Sequence, residues 1–458
     1  MTRARGATRM TRRHYLGSAA AAAGGVFSAC GPLGGGGPPK EAVVKAPVTV
    51  EYWTFWNQER IDVLLPHLPA FEQRTRYIKA NITGSGDFRM KLRTAVVAGT
   101  PPDASIGDIF SYALYADQKA LLDLGPLVKR DRIDLAREYV LDGFEYWCGT
   151  LHAFPLDGFT YALTYNKTMF RERGIPDPWD VHKGQWTWDD FVEALTKLTR
   201  ENVIGFQPDG HGLERGYHPF LLMFGGGYFD YDNMRYMLDH PRTIEAMESL
   251  YELAVRRQVM TTPDQTAELN RATGDAPFVA RRLGVIGEPG YHVRPSTVKA
   301  IGDSFEWDIV PYPSRRKGAP SWSFAGCNAG LVFARAQHPE EGYELLKFFG
   351  GEEVQGSLGS TRIVPPALKK ARNDPNGFLK APPKHMHVFN DIFESGYYRT
   401  TRTYHYRDLQ TQPVLNRFVA EAFRGERGMK EALLEANRVG NAEVEYGRKC
   451  FQPRWKKQ

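Results

Sequence analysis

Aromatic rings and flat polar side chains recur in this sequence where strands should end. Trp53, Trp56 and Asn57 close the run Val48-Thr49-Val50-Glu51-Tyr52-Trp53, whose alternation is that of a strand. Asp108 and Tyr112 close a second run, Ala104 to Ile109. Such sets recognise polyhydroxy compounds. A ring covers the apolar C–H face of a pyranose, while a carboxylate, amide or guanidinium meets two neighbouring hydroxyls at once. Ligands of α/β sheets sit outside the carboxyl ends of strands, where these residues fall. Each reading has a structural alternative, core packing for Trp53 and a helix cap for Asp108. Trp56 lies past the strand and is better placed for a cleft.

Other chemistries find little footing. No G-x-S-x-G or H-E-x-x-H motif occurs. His385-x-His387 with His405 lacks an acidic partner at ligand spacing, so no metal is expected, and no motif points to a cofactor. A glycoside hydrolase, the main alternative class, needs two carboxylates roughly 5 Å or 6.5–9.5 Å apart across the sugar. No motif marks such a pair. Gly225-Gly226-Gly227 lacks the Lys-Ser/Thr that would make it a phosphate loop, and reads as a turn.

The front of the chain addresses it. Arg3, Arg5, Arg9, Arg12 and Arg13 precede an Ala/Gly-rich apolar stretch from Tyr15 to Phe27. That is the layout of an export signal, too short and glycine-rich for a membrane span of about 20 apolar residues. Thr11-Arg12-Arg13-His14-Tyr15-Leu16 resembles a twin-arginine signal, although Gly17 stands where Lys is usual. Phe27-Ser28-Ala29-Cys30 resembles a lipobox. The expectation is cleavage before Cys30, acylation of its sulfur, and a flexible tether over 30–40. The formal net charge of +6 then falls nearly to neutral, because those five arginines leave with the signal. No basic stripe interleaved with aromatics remains, so nucleic acid is not an expected partner. Cys148, Cys327 and Cys450 allow one disulfide and one thiol, with no CxxC spacing.

These side chains need a frame. Roughly 415 residues follow the tether, enough for two or three domains. Ile61, Leu64, Leu65, Leu68 and Phe71 mark one helix face, interrupted by Pro66 and Pro69. A strand over 77–82 precedes a helix with Asp87 as its cap, Phe88, Leu92, Ala95 and Val96 inward, and Gly99 as its stop. Thr187-Trp188-Asp189-Asp190 opens another helix with a capping box. Strands are expected over 283–287, 307–310 and 329–334, a helix from Pro339, and helices after His387. Alternating strands and helices argue for an α/β fold with a largely parallel sheet.

Several segments, in order, resemble the extracellular solute-binding proteins of ATP-binding cassette importers, the group that includes maltose-binding proteins. They are Gly99-Thr100-Pro101-Pro102-Asp103, Ala120-Leu121-Leu122-Asp123-Leu124, Gly149-Thr150-Leu151-His152-Ala153-Phe154-Pro155, Tyr165-Asn166-Lys167 with Phe170 and Gly174, and Trp186-Thr187-Trp188-Asp189-Asp190-Phe191. The resemblance spans residues 48–350 and fades after Tyr397. It implies a two-lobed α/β fold with hinge crossovers near 158–165 and 322–330 and a ligand cleft between the lobes. Lobe one would hold 41–157 with 327–380, and lobe two 158–326 with 381–458. It also implies a monomer that captures a small carbohydrate and delivers it to importer permease subunits, with no enzymatic step. A phosphorylated polyol or other anion, or a sensory role, stays open as an alternative. Further contacts come with the resemblance: Asp157 and Phe159 at the first crossover, where a turn role for Asp157 is the alternative. The others are Tyr291 in a strand-to-loop "G-x-P-x-W"-like region, Trp322 before the second crossover, and Tyr404, Tyr406 and Arg407 in the C-terminal part.

Overall fold

The computed structural model of the protein describes residues 46–107, 112–141, 146–230, 233–274, 276–288, 293–399 and 408–447. The strands that frame the site are β1 (Val48–Thr54), β2 (Ile78–Gly84), β3 (Ala104–Gly107), β4 (Ala153–Thr160) and β5 (Ala162–Asn166). They continue with β6 (Ile204–Gln207), β7 (Leu283–Glu288), β8 (Trp307–Val310), β9 (Ser323–Val332) and β10 (Tyr398–Arg399).

Two sheets result. In the larger, β1 lies between β2 and β3 with all three parallel. β9 runs antiparallel to β3 on one side and to β4 on the other, since Ala329, Gly330 and Leu331 pair with both. β10 adds in parallel to the first residues of β9. The smaller sheet has the order β8–β5–β7–β6, with β5 antiparallel to both neighbours and β7 parallel to β6. Helices cover the sheets, so inner strands are mostly apolar or small, with Asp157, Asn166 and Asn328 among the buried polar exceptions. β4 and β9 are buried at every residue. The fold is the two-lobed α/β architecture that the resemblance implies. Both sheets are mixed rather than largely parallel, however, because β9 runs antiparallel to β3 and β4, and β5 to β7 and β8. Tyr161 alone separates the larger sheet's β4 from the smaller sheet's β5.

Local chemistry sets the helices. Pro66 and Pro69 break the first helical stretch into Gln58–Leu64, a 3-10 turn Leu65–His67, and Leu68–Thr75. Phe71 and Leu64 face the core, whereas Leu65 is exposed, displaced by the 3-10 turn. Helix Phe88–Ala98 buries Phe88 and Leu92 and stops at Gly99, whose φ of +77° suits glycine. Asp87 makes no capping hydrogen bond there, contrary to expectation; its ψ of 25° falls outside the extended backbone of a capping residue. Helix Trp188–Leu198 has its full capping box: Thr187 accepts from the Asp190 amide, and Asp190 accepts from the Thr187 amide.

Helix Pro339–Phe349 packs on β1, β3, β4 and β9. The C-terminal helices Asp408–Phe423 and Met429–Gly447 pack on each other, and the second also packs on helix Pro241–Tyr251. Asn437 and Asn441 of that second helix accept from the Leu238 and Tyr236 amides. Cys148 is disulfide-bonded, and the buried Cys327 thiol donates to the Val140 carbonyl at 3.5 Å. Among the described residues no helix is long and apolar enough to cross a membrane.

Candidate functional site

Strand directions bring the carboxyl edges of the two sheets together. β4 ends at Thr160, beside the start of β9. One residue later β5 begins, with Ala162 and Leu163 opposite Glu288 and Val310, the final residues of β7 and β8. The crossover thus joins one carboxyl edge to the other, the position that ligands of such sheets occupy.

Tyr161 is the centre of what collects there. Its ring lies against Phe324 of β9, centroids 4.9 Å apart, and Phe159 meets both edge-on at 6.1 and 5.6 Å. Its hydroxyl donates to Asp209 Oδ2 at 2.5 Å. Arg215 closes the triangle: Nη2 donates to the same oxygen at 2.9 Å and Nε to the Tyr161 hydroxyl at 3.3 Å. Burial first, then the charge of Asp209, raises the Tyr161 phenol well above its ordinary value, so it stays a donor. Asp209 follows β6 in the turn Pro208-Asp209-Gly210, and its amide is 3.3 Å from where a Cβ on Gly287 would sit. That imagined Cβ would also lie 2.8 Å from the Tyr312 hydroxyl, so the end of β7 needs glycine for this close approach.

A second group lies at the start of β9. Trp322, half-buried, meets Tyr397 edge-on at 5.5 Å, and the Arg399 guanidinium sits 4.9 Å from its ring centroid. Arg399 is opposite Phe324 in the β9–β10 pair. Beneath Phe324, His218 is only 2% exposed, 6.0 Å edge-on from that ring, with no hydrogen-bond partner on either ring nitrogen among the described residues. Burial, reinforced by the charge of Arg399, pushes its pKa down to about 3, so the imidazole is neutral at ordinary pH.

Other expected residues are spread through the larger lobe. Trp53 is half-buried with Lys91 Nζ 4.2 Å above its ring. Trp56 is 3% exposed in the core, its amide bonded to Thr54 Oγ1 and its indole N–H without a partner among the described residues. Asn57 is exposed and caps helix Gln58–Leu64. Tyr112 is fully buried, edge-on to Trp147 at 6.5 Å. Asp157 is fully buried and takes the side-chain amide of Asn328 on both oxygens, at 3.0 and 3.1 Å. Asp108, Tyr291, Tyr404, Tyr406, Arg407 and Cys30 lie outside the described residues. His385 and His387 are engaged with Asp308 and Asp391, each at 2.7 Å. Gly225 takes a positive φ of 84°, as a turn requires.

The structure therefore gathers Phe159 and Trp322 from the expected set and adds Tyr161, Asp209, Arg215, His218, Phe324 and Arg399. Asp209 carried the same signal used elsewhere, a polar residue just past a strand inside a Pro-Asp-Gly turn. Arg399 and His218 carried none, because pairing across long sequence separation puts them there.

Residues 64–356 match the model of the bacterial extracellular solute-binding protein family. A multiple sugar-binding protein of Streptococcus mutans is 22% identical over 73% of this chain and 78% of its own length. Among solved structures, an ABC substrate-binding protein of Listeria monocytogenes in complex with cycloalternan superimposes with a TM-score of 0.75 at 18% identity, covering 87% of this chain and 99% of that one. The cyclic alpha-maltosyl-1,6-maltose binding protein of Arthrobacter globiformis gives 0.69 at 20% identity, covering 88% and 100%.

Proposed function

The chain belongs to the bacterial extracellular solute-binding protein family, and from that premise we propose that it captures a carbohydrate outside the cytoplasmic membrane for an ATP-binding cassette importer. The observation that carries the reading is the Tyr161–Asp209–Arg215 triangle at the junction of two carboxyl edges, with the half-buried Trp322 next to Ser323, whose Oγ donates to the Tyr161 carbonyl at 2.6 Å. A pre-oriented carboxylate and guanidinium suit vicinal hydroxyls, and rings suit the sugar's apolar face. Relatives and structural neighbours that bind saccharides support the choice of ligand. The ligand leaves unaltered, because the task is transfer to permease subunits. The chain serves as a monomer held at the membrane by acylated Cys30 and its tether. Residues 41–157 with 327–380, and 158–326 with 381–458, close on the ligand as two bodies. Asp108, Tyr291, Tyr404, Tyr406 and Arg407 are proposed contacts from the flanking loops.

The test is calorimetry of the exported protein against a saccharide panel, with recovery of the ligand afterwards. One saccharide class binding and returning intact supports the reading, and Tyr161→Phe should then weaken it by about tenfold, the worth of a charge-assisted hydrogen bond. Recovery of cleaved ligand would make the protein an enzyme instead.

A further inference from the structure

Arg399 has an environment that the triangle does not explain. Arg215 is matched by Asp209 at 2.9 Å. Arg399, exposed, has as its hydrogen-bond acceptor the neighbouring Tyr398 carbonyl, at 2.7 Å, and among the described residues no carboxylate pairs with it. An exposed arginine is ordinarily a solvated charge on a mobile stem. This one is held: its guanidinium stacks on Trp322, whose edge meets Tyr397, and its backbone is fixed in β10 against Phe324. The side chain is thus oriented before any ligand arrives, and a stacked guanidinium keeps its in-plane donors available. Its field reaches inward to His218, which contributes no compensating negative charge. Asp209 and Glu214 both act on Arg215, and among the described residues neither pairs with Arg399.

Building on the carbohydrate reading above, we propose that the ligand is an acidic saccharide, whose anionic group pairs with Arg399 while its ring lies against the half-buried Trp322 and the exposed Tyr397. A uronate fits this arrangement best. Its carboxylate projects from the ring edge, so one residue can place a C–H face on an aromatic surface and its charge against an adjoining guanidinium fork. The neutral sugar with a hydroxymethyl group there would leave Arg399 without its counter-charge.

The test uses matched pairs of disaccharides, with a uronate residue in one member and the corresponding hexose in the other, in the glucose, galactose and mannose series. A sulfated disaccharide forms a separate arm. Calorimetry with the exported protein should give at least about tenfold tighter binding for the acidic member of one pair. That preference should shrink as salt rises from 50 to 500 mM, collapse toward unity in Arg399→Gln, and return in part in Arg399→Lys. Melting curves establish that each variant is folded. Preference for the sulfated sugar over both members supports the cation's role and reassigns the anion. Equal or tighter binding of the neutral member, or a preference that survives Arg399→Gln, overturns this inference and leaves carbohydrate capture standing. Failure of every saccharide to bind overturns both.

Discussion

His218 shows how one side chain can set the acid tolerance of the site. Its imidazole stays neutral in the folded protein down to about pH 3, whereas in the unfolded chain it takes a proton near pH 6.5. The folded state binds fewer protons through that window. Its stability from this group is therefore complete above pH 6.5 and is lost as the pH falls toward 3, by up to about 1.4 kcal/mol per unit. His211, between the Tyr217 and Thr266 hydroxyls at 2.7 Å each, is lowered to about 4 by burial and acts in the same direction. His218→Phe keeps an aromatic edge against Phe324 and removes the titration. Urea unfolding at pH 7.5, 6.0 and 5.0 should show a shallower decline in the variant, with no loss of stability at pH 7.5. Parallel declines in the two proteins would refute this account of His218.

Helix Trp188–Leu198 is the element most completely written in its sequence. Its capping box and its apolar face of Trp188, Phe191, Leu195 and Leu198 follow from spacing, and in the fold Phe191 packs against Phe206 and Phe220. Thr187→Ala should cost about 1 kcal/mol, measured by urea unfolding, without altering ligand affinity. β1, β2 and β8 were legible for the same reason, each being a short run of alternating or continuous apolar residues. The candidate site was legible only in part. Strand ends could be read from local pattern, but Trp56 and Asp157 meet their neighbours through tertiary packing that spacing does not encode. The Asp87 expectation failed because a suitable residue at the right position is not enough; the backbone must also be extended. Leu65 matched the helical period but lies in a 3-10 turn, where two prolines shift the phase.

At the scale of the molecule, Arg372 binds the crossover region together. It is 2% exposed, yet its charge is met by main-chain carbonyls from separate segments: Gly158 in β4, Pro366 at 3.3 Å and Phe389 at 2.9 Å. The Phe389 carbonyl also accepts from Thr160 Oγ1 at 2.8 Å. Arg372→Met should destabilise the protein by about 3–5 kcal/mol, since buried carbonyls lose their donor. In contrast, ligand at 100 times its Kd should stabilise the wild type by about 2.7 kcal/mol. Small-angle scattering should record a smaller radius of gyration on binding if the lobes close. An unchanged radius with tight binding would mean that the lobes are already shut.

The nesting of one sheet within the other also governs how the protein is made. β5 to β8 lie consecutively between β4 and β9, so the smaller sheet has all its strands once Val310 has been synthesised. The larger sheet is older in the chain but younger in assembly: β4 and β3 have no β9 to pair with until Val332 emerges. At ~5–20 residues per second that delay is on the order of ten seconds. During it, nascent β3 and β4 present unpaired edges, the state in which a ribosome-bound chain is most open to chaperones and to mispairing.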